Sequence, residues 1–270
     1  MNDTYIVTTF VVIDDLLNAC AFQEDGRASS HAAEILTVAV IAAKYFQNHH
    51  ERALSILGQL GYVQRLSVSR FNRRLHQLSD WLYGIVTVLG EVFAQGEVFI
   101  IDSMPLPVCK RARARRCKKV RGKAFCGYCA AKKEKFFGWR LHLICTAEGV
   151  PVAFDVLPAA QHDLTAIHEL TVGLPAGATV FGDKAFISQP DTQSLLEAIG
   201  VRLVAVRRSN MTPNTWADDY DLRHYRKRIE TVYAQLESMG LQRLHARTNL
   251  GFDLKAWASL LALAFTNIID

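Results

Sequence analysis

The stretch FIIDSMPLP, residues 99–107, begins as a buried strand and then sets an acidic side chain where the apolar run ought to continue. Asp102 also stands where two sequence patterns meet. Upstream, residues 1–95 hold no alternating run but several segments of 3.6-residue periodicity. These predict helices over Tyr5–Phe22, Ala32–Gln47 and Arg52–Leu60, the last stopping at Gly61 as a C-cap would. In LSVSRFNRRLHQLSDWLYGIVTVLGEVF the apolar residues Leu66, Phe71, Leu75, Leu78, Leu82, Ile85, Leu89 and Phe93 recur at intervals of three to five, one buried stripe along one long helix capped by Ser67.

Downstream, EVFIID, FFGWRLHLICT, VPVAFDVLP, ATVFGD and VRLVAV are short β-branched or aromatic runs bounded by Gly, Pro and acids. Helical segments near Leu164–Val172 and Asp191–Ala198 separate the later runs, and two more close the chain at Asp221–Met239 and Leu254–Asn267. A hairpin turning at AEGV, followed by strands alternating with helices, predicts an α/β fold: a mixed sheet flanked by helices and preceded by an all-α region. The expected division is a helical region over 1–95 and an α/β domain over 96–270 carrying a basic insertion at 109–135.

Composition narrows the function. With 270 residues and 50% hydrophobic content the chain can bury a sizeable core, which excludes disorder. The apolar run Leu36–Ala43 is far shorter than a bilayer span, and MNDTYIVTTF lacks the basic start of a secretory signal, so a cytoplasmic protein without membrane contact is expected. The net charge of +5 hides an asymmetry: residues 110–135 hold twelve Lys or Arg and one Glu, leaving 19 basic and 25 acidic residues elsewhere. A concentrated cationic segment on an otherwise acidic chain points to a polyanion, nucleic acid above all. A solvated loop is the plainer alternative.

A second basic surface is expected on the 67–78 helix, where Ser69, Arg70, Asn72, Arg73 and Arg74 face away from the apolar stripe. These residue types contact phosphates and base edges from a recognition helix, and the preceding helix with GYVQRL completes a helix-turn-helix-like arrangement. An ordinary amphipathic helix with a basic outer face has the same pattern. Of six cysteines, Cys126 and Cys129 have Cys-x2-Cys spacing, but Cys109 and Cys117 upstream do not form a second such knuckle. Reduced thiols are expected rather than structural zinc.

Three carboxylates carry the chemistry. Asp102 follows VFII and Asp183 follows ATVFG, each at the C-terminal end of a predicted strand, the edge where α/β sheets place ligands. Glu230 borders the apolar stripe Leu222, Tyr225, Ile229, Val232, Leu236 and Met239 of a late helix. Carboxylates gathered at one edge repel unless cations neutralise them, and two Mg2+ or Mn2+ ions suit hard oxygen donors and phosphate oxygens. Taken singly, each acid reads equally as a turn, a cap or a solvated residue. His142 alternates with Leu141 and Leu143 and so leaves their face of the strand. In QHDL, residues 161–164, Asp163 reads as a helix N-cap with no catalytic role.

FIIDSMPLPVC, FFGWRLHLI, FGDKAF and RKRIETVYAQL together resemble the bacterial insertion-sequence transposases of the Asp-Asp-Glu class, most closely the insertion sequence 982 group, from about Arg70 to the C-terminus. The resemblance implies an RNase H-like core in which Asp102 bridges two metal ions while Asp183 and Glu230 each hold one. It implies action on double-stranded DNA, at terminal inverted repeats and a target, by a homodimer in the nucleoid-associated cytoplasm. Related enzymes carry a Tyr-2-Arg-3-Glu-6-Lys signature around the glutamate. Arg226 fits it, whereas Arg223 stands at the Tyr position and Glu237 at the Lys position. Expected DNA contacts are Arg70, Asn72, Arg73, Arg74, Arg111, Arg113, Arg115, Arg116, Lys118, Lys119, Arg121, Lys184, Arg223 and Arg226. A nuclease or resolvase without strand transfer and a non-catalytic DNA-binding regulator are the rival readings. The basic segment should leave the first strand and return to the second with both its ends at the catalytic edge.

Overall fold

The computed structural model describes residues 1–64, 66–130, 132–187 and 190–269. They form two compact units, residues 1–88 together with 235–270, and residues 89–234.

The first unit is helical: α1 (Asp3–Ala19), α2 (Ala32–Phe46), α3 (His50–Gln59), α4 (Val68–Gln77), most of α5 (Ser79–Phe93) and the closing helix α9 (Asn249–Ile269). α2 is apolar on every side, with Ala32, Ala33 and Ile35–Ala43 all buried, which makes it the centre of this unit. α9 packs on it. By length and composition α9 is apolar enough to cross a membrane, but most of its apolar stretch lies buried, as in a core helix. Residues 235–270, expected with the sheet, instead belong with the N-terminal helices, where α9 packs on α2 alongside α1 and α3.

The single helix expected over 66–93 is two helices. The Leu78 N–H is shared between the Arg74 and Leu75 carbonyls, 3.1 and 3.2 Å, which tightens the last turn of α4 and ends it, and α5 starts at Ser79. Ser67 caps α4 as expected, accepting from the Arg70 N–H at 3.3 Å. Between α3 and α4 the chain runs from Leu60 to Ser67, longer than the three- to four-residue turn of a helix-turn-helix, and Arg65 within it lies outside the described residues.

The second unit is built on a six-stranded mixed sheet: β1 (Val98–Lys110), β2 (Cys126–Cys129), β3 (Glu134–Thr146), β4 (Pro151–Pro158), β5 (Thr179–Gly182) and β6 (Arg202–Ala205). β1 pairs antiparallel with β3 and parallel with β5; β4 runs antiparallel to β3, and β6 parallel to β5. Between strands lie α6 (Ile167–Thr171) and α7 (Pro190–Ala198), and α8 (Trp216–Ser238) follows β6. Phe99 and Ile101 of β1, Ile144 of β3 and Val180 of β5 share one core with Ile167 and Leu170 of α6 and Phe186.

β1 is longer than its apolar run. It continues from Asp102 through Pro105 and Pro107 to Lys110, still paired with β3. The basic segment consequently starts eight residues beyond Asp102, not at the carboxylate edge as expected. Within it lie a 3-10 helix, Arg111–Arg116, and β2; Ala131 is outside the described residues.

Candidate active site

β1 and β5 are paired in parallel from Val98↔Thr179 to Ile101↔Gly182, and on both strands the next residue is an aspartate. Asp102 and Asp183 thus stand at the same level on neighbouring strands about 4.8 Å apart, where β5 ends; Asp102, expected at the end of its strand, instead lies within β1, still paired with Leu143 of β3. Gly182, the last residue of β5, sits in a tight spot: a Cβ there would lie 3.0 Å from both Ile101 Cγ2 and Phe186 Cβ, so a larger residue would need these neighbours to shift. Each carboxylate is oriented by one backbone N–H: Ser103 N donates to Asp102 Oδ1 at 2.7 Å, and Ala185 N donates to Asp183 Oδ1 at 2.7 Å, capping the short 3-10 turn Lys184–Phe186.

The electrostatics follow from this confrontation. Burial, and next the charge of Asp183, push the Asp102 carboxyl up to about 7, against the opposing pull of the Ser103 N–H and Arg140. The Asp183 carboxyl is also raised, first by partial loss of water and then by Asp163, while the Ala185 N–H, Arg226 and Arg140 oppose. Holding both ionised calls for a cation.

Glu230 lies on α8, which buries Leu222, Ile229 and Val232. Stacking of Tyr225 on Phe181, ring centroids 5.2 Å apart, ties α8 to β5. Asp102, Asp183, Glu230 and Arg226 line one cavity of about 90 Å³. The glutamate is 65% exposed and accepts from Arg226 Nε at 3.2 Å. Such an exposed pair is worth only about 0.3–0.5 kcal/mol, little resistance to a better partner. Among the described residues no three His, Cys, Asp or Glu side chains gather closely enough to hold an ion. The two aspartates meet, and the glutamate shares their cavity while facing its arginine.

Asp163 is placed differently from the cap expected of it. The cap of its 3-10 turn is His162, whose Nδ1 accepts from the Leu164 N–H at 3.2 Å. The Asp163 carboxylate instead lies 3.0 Å from Nε2 of the fully buried His142 and 3.9 Å from Arg140 Nη1. Arg140 Nη1 in turn donates to Ser103 Oγ at 3.1 Å. The signal was present in FFGWRLHLI, where Arg140 and His142, two residues apart, put two polar side chains on one face of an apolar strand.

The expected DNA contacts divide. On α4, Arg70 and Arg73 are exposed, but Arg74 is ion-paired with Glu24 and Asn72 Oδ1 lies 3.0 Å from Nδ1 of the buried His50. A half-buried amide at that position satisfies a histidine rather than reading a base. Arg111, Arg113, Arg115, Arg116, Lys118 and Arg121 are exposed, whereas Lys119 is half-buried. Lys184 and Arg223 are exposed, with Arg223 Nε donating to the Asp219 carbonyl at 3.2 Å. Cys109 and Cys126 both pair with Phe137 from opposite sides of β3, about two strand spacings or ~10 Å apart.

Three antiparallel strands continued by two parallel ones, flanked by helices and with an aspartate on each of two parallel neighbours just past their paired stretch, form the RNase H-like arrangement. The profile of the transposase DDE domain matches residues 93–249, more than half of the chain, and the chain belongs to that family. No curated protein matches it. Among solved structures, the chain is similar to one in "Mos1 transposase paired-end complex with left transposon end", at 10% identity and a TM-score of 0.25, over 86% of this chain and 78% of that one.

Proposed function

We propose that the protein is a DNA transposase that cleaves a strand at the transposon end to free a 3′-OH and then joins this hydroxyl to target DNA. The observation that carries this reading is the side-by-side placement of Asp102 and Asp183 just past the paired stretch of parallel neighbours, in a chain of the DDE transposase family.

The donor set fits Mg2+ or Mn2+: two carboxylates in mutual repulsion, each oriented by a backbone N–H, with a third acid on the same cavity. Asp102 and Asp183 would hold the ions, two per site, and Glu230 would complete the set on leaving Arg226. When bound, such ions activate the attacking oxygen and stabilise charge on the phosphoryl group. The protein's own part is to fix the acids before substrate arrives. Arg226, once released, is placed to meet a phosphate oxygen.

Duplex DNA is the substrate class that the exposed cations of the basic segment fit. Transposon ends and target, action as a homodimer, a nucleoid-associated cytoplasmic setting and membership of the insertion sequence 982 group complete the proposal, resting on the motif combination. Incubating the purified protein with labelled transposon ends, target plasmid and Mg2+ tests it. Joined products are expected. Cleavage without joining would leave a nuclease, and neither reaction would leave a DNA-binding regulator.

A further inference from the structure

Asp163 is the least explained charged group of the sheet unit. Its side chain is 16% exposed, the imidazole it contacts is 0% exposed, and neither belongs to the three acids already discussed. A carboxylate this far from water is retained at a cost unless its partners compensate it. They do so together: His142 Nε2 at 3.0 Å, Arg140 Nη1 at 3.9 Å and the Ser103 side chain, which hydrogen-bonds the carboxylate and also accepts from Arg140 Nη1 at 3.1 Å. Ser103 and His142 are directly paired across β1 and β3, so their side chains share a face of the sheet, and Asp102 projects from the other. The backbone N–H of Ser103 is the group that holds Asp102 Oδ1 at 2.7 Å. Asp163 is thereby linked, directly through the Ser103 side chain and also through Arg140, to the peptide that aims the first aspartate.

We propose that Asp163 is a positioning residue of the carboxylate centre: a fixed anion behind the sheet that locks Arg140 and His142, holds the Ser103 peptide in place and thereby sets the divalent-cation affinity of Asp102 and Asp183. Its charge also acts directly, since it raises both carboxyls. Together with the Ser103 hydroxyl and the Tyr128 carbonyl, which accept from Arg140 at 3.1 and 3.3 Å, the anion keeps that cation engaged on the far face rather than turned toward Asp102. Partners behind metal ligands typically change affinity by about 10–100-fold when removed. This inference rests on the metal-dependent reading of the site, and the test separates the two.

Mn2+ is titrated calorimetrically into the full-length wild type and into Asp102→Asn, Asp163→Asn and Ser103→Ala, with thermal unfolding of each recorded without metal. Asp102→Asn should abolish tight binding. Asp163→Asn should weaken it about tenfold or more, and Ser103→Ala, which removes only the hydroxyl, should weaken it by a smaller factor. Should Asp163→Asn fail to fold, Ser103→Ala decides. Unchanged Mn2+ affinity in a folded Asp163→Asn protein, or in Ser103→Ala where only that variant folds, would overturn the role of Asp163 while leaving the metal reading intact. Unchanged affinity in Asp102→Asn, or no Mn2+ binding by the wild type, would overturn both.

Discussion

The carboxylate edge and the basic segment carry opposite charges, and the fold treats them in opposite ways. The aspartates are few, fixed by backbone N–H groups and forced against each other, so their repulsion is built into the folded chain before any ligand arrives. The cations of 110–135 are many, exposed and spread along a 3-10 helix and short strand at the end of a hairpin. Charge held beside like charge with part of its water removed is a demand for a small, strongly bound ion. Charge displayed to water gains little from the protein itself and acts through a large polyanion.

The largest effect should come from breaking the acid side. Asp102→Asn and Asp183→Asn should each lower strand cleavage roughly a thousandfold, about 4 kcal/mol of transition-state stabilisation, with DNA affinity retained. A gel-based cleavage assay at saturating DNA checks this, and substantial activity in the Asp183 variant would remove that residue from the site.

Next is the basic side. Replacing Arg113, Arg115, Arg116, Lys118 and Lys119 by Ala should weaken binding to specific and unrelated duplexes alike and flatten the salt dependence by about 0.9 for each phosphate no longer neutralised. Half-buried Lys119 should contribute least to that slope. Cleavage at saturating DNA should change far less than binding. An unchanged salt slope in filter-binding titrations would mean that these cations do not touch DNA.

A third outcome concerns stability without metal. Asp102 titrates at about 7 when folded, against an ordinary value of 3.8. The folded protein therefore keeps that proton more tightly than the unfolded chain, and stability should fall as pH rises from about 4 to about 7, by a few kcal/mol at most. The facing groups act in both directions: Asp183 and Asp163 steepen the loss, and Arg140 and the Ser103 N–H soften it. Denaturant melts of Asp102→Asn should lack most of this slope, and Mg2+ should flatten it in the wild type. Equal slopes in variant and wild type would show that Asp102 does not carry the strain.

The smallest effect belongs to Arg226→Gln. Loss of its exposed pair with Glu230 should cost no more than about 0.5 kcal/mol of stability. A larger drop in cleavage than in melting temperature would identify the arginine as a phosphate contact.

Much of this was legible in the sequence. Most of the strands, the AEGV turn and the two aspartates followed from apolar runs broken by an acid, although Asp102 stands within β1 rather than at its end, β2 was not expected and the 66–93 helix is two. Three things were hidden. The first strand, expected to stop at Asp102, runs on as β1 through Pro105 and Pro107 to Lys110, while β5 pairs with it only as far as Ile101. Beyond that point β1 is an edge strand, where a missing N–H is tolerated. The role of Asp163 was masked by local chemistry, since an acid before LTAI is a plausible cap and only the tertiary fold brings His142 and Arg140 to it. On α4, periodicity placed Asn72 on the outer face without showing that His50 of α3 would claim it.

The extension of β1 past Asp102 also sets a length. Eight strand residues separate the aspartate from Lys110, a lever of about 26 Å at ~3.3 Å per residue. Laid along a duplex rising ~3.4 Å per base pair, that arm reaches about eight base pairs from the phosphate under attack. The hairpin would then act as a ruler, and nuclease protection should extend by roughly eight base pairs on a single side of the cleavage point, shrinking when the arm is shortened in two-residue steps.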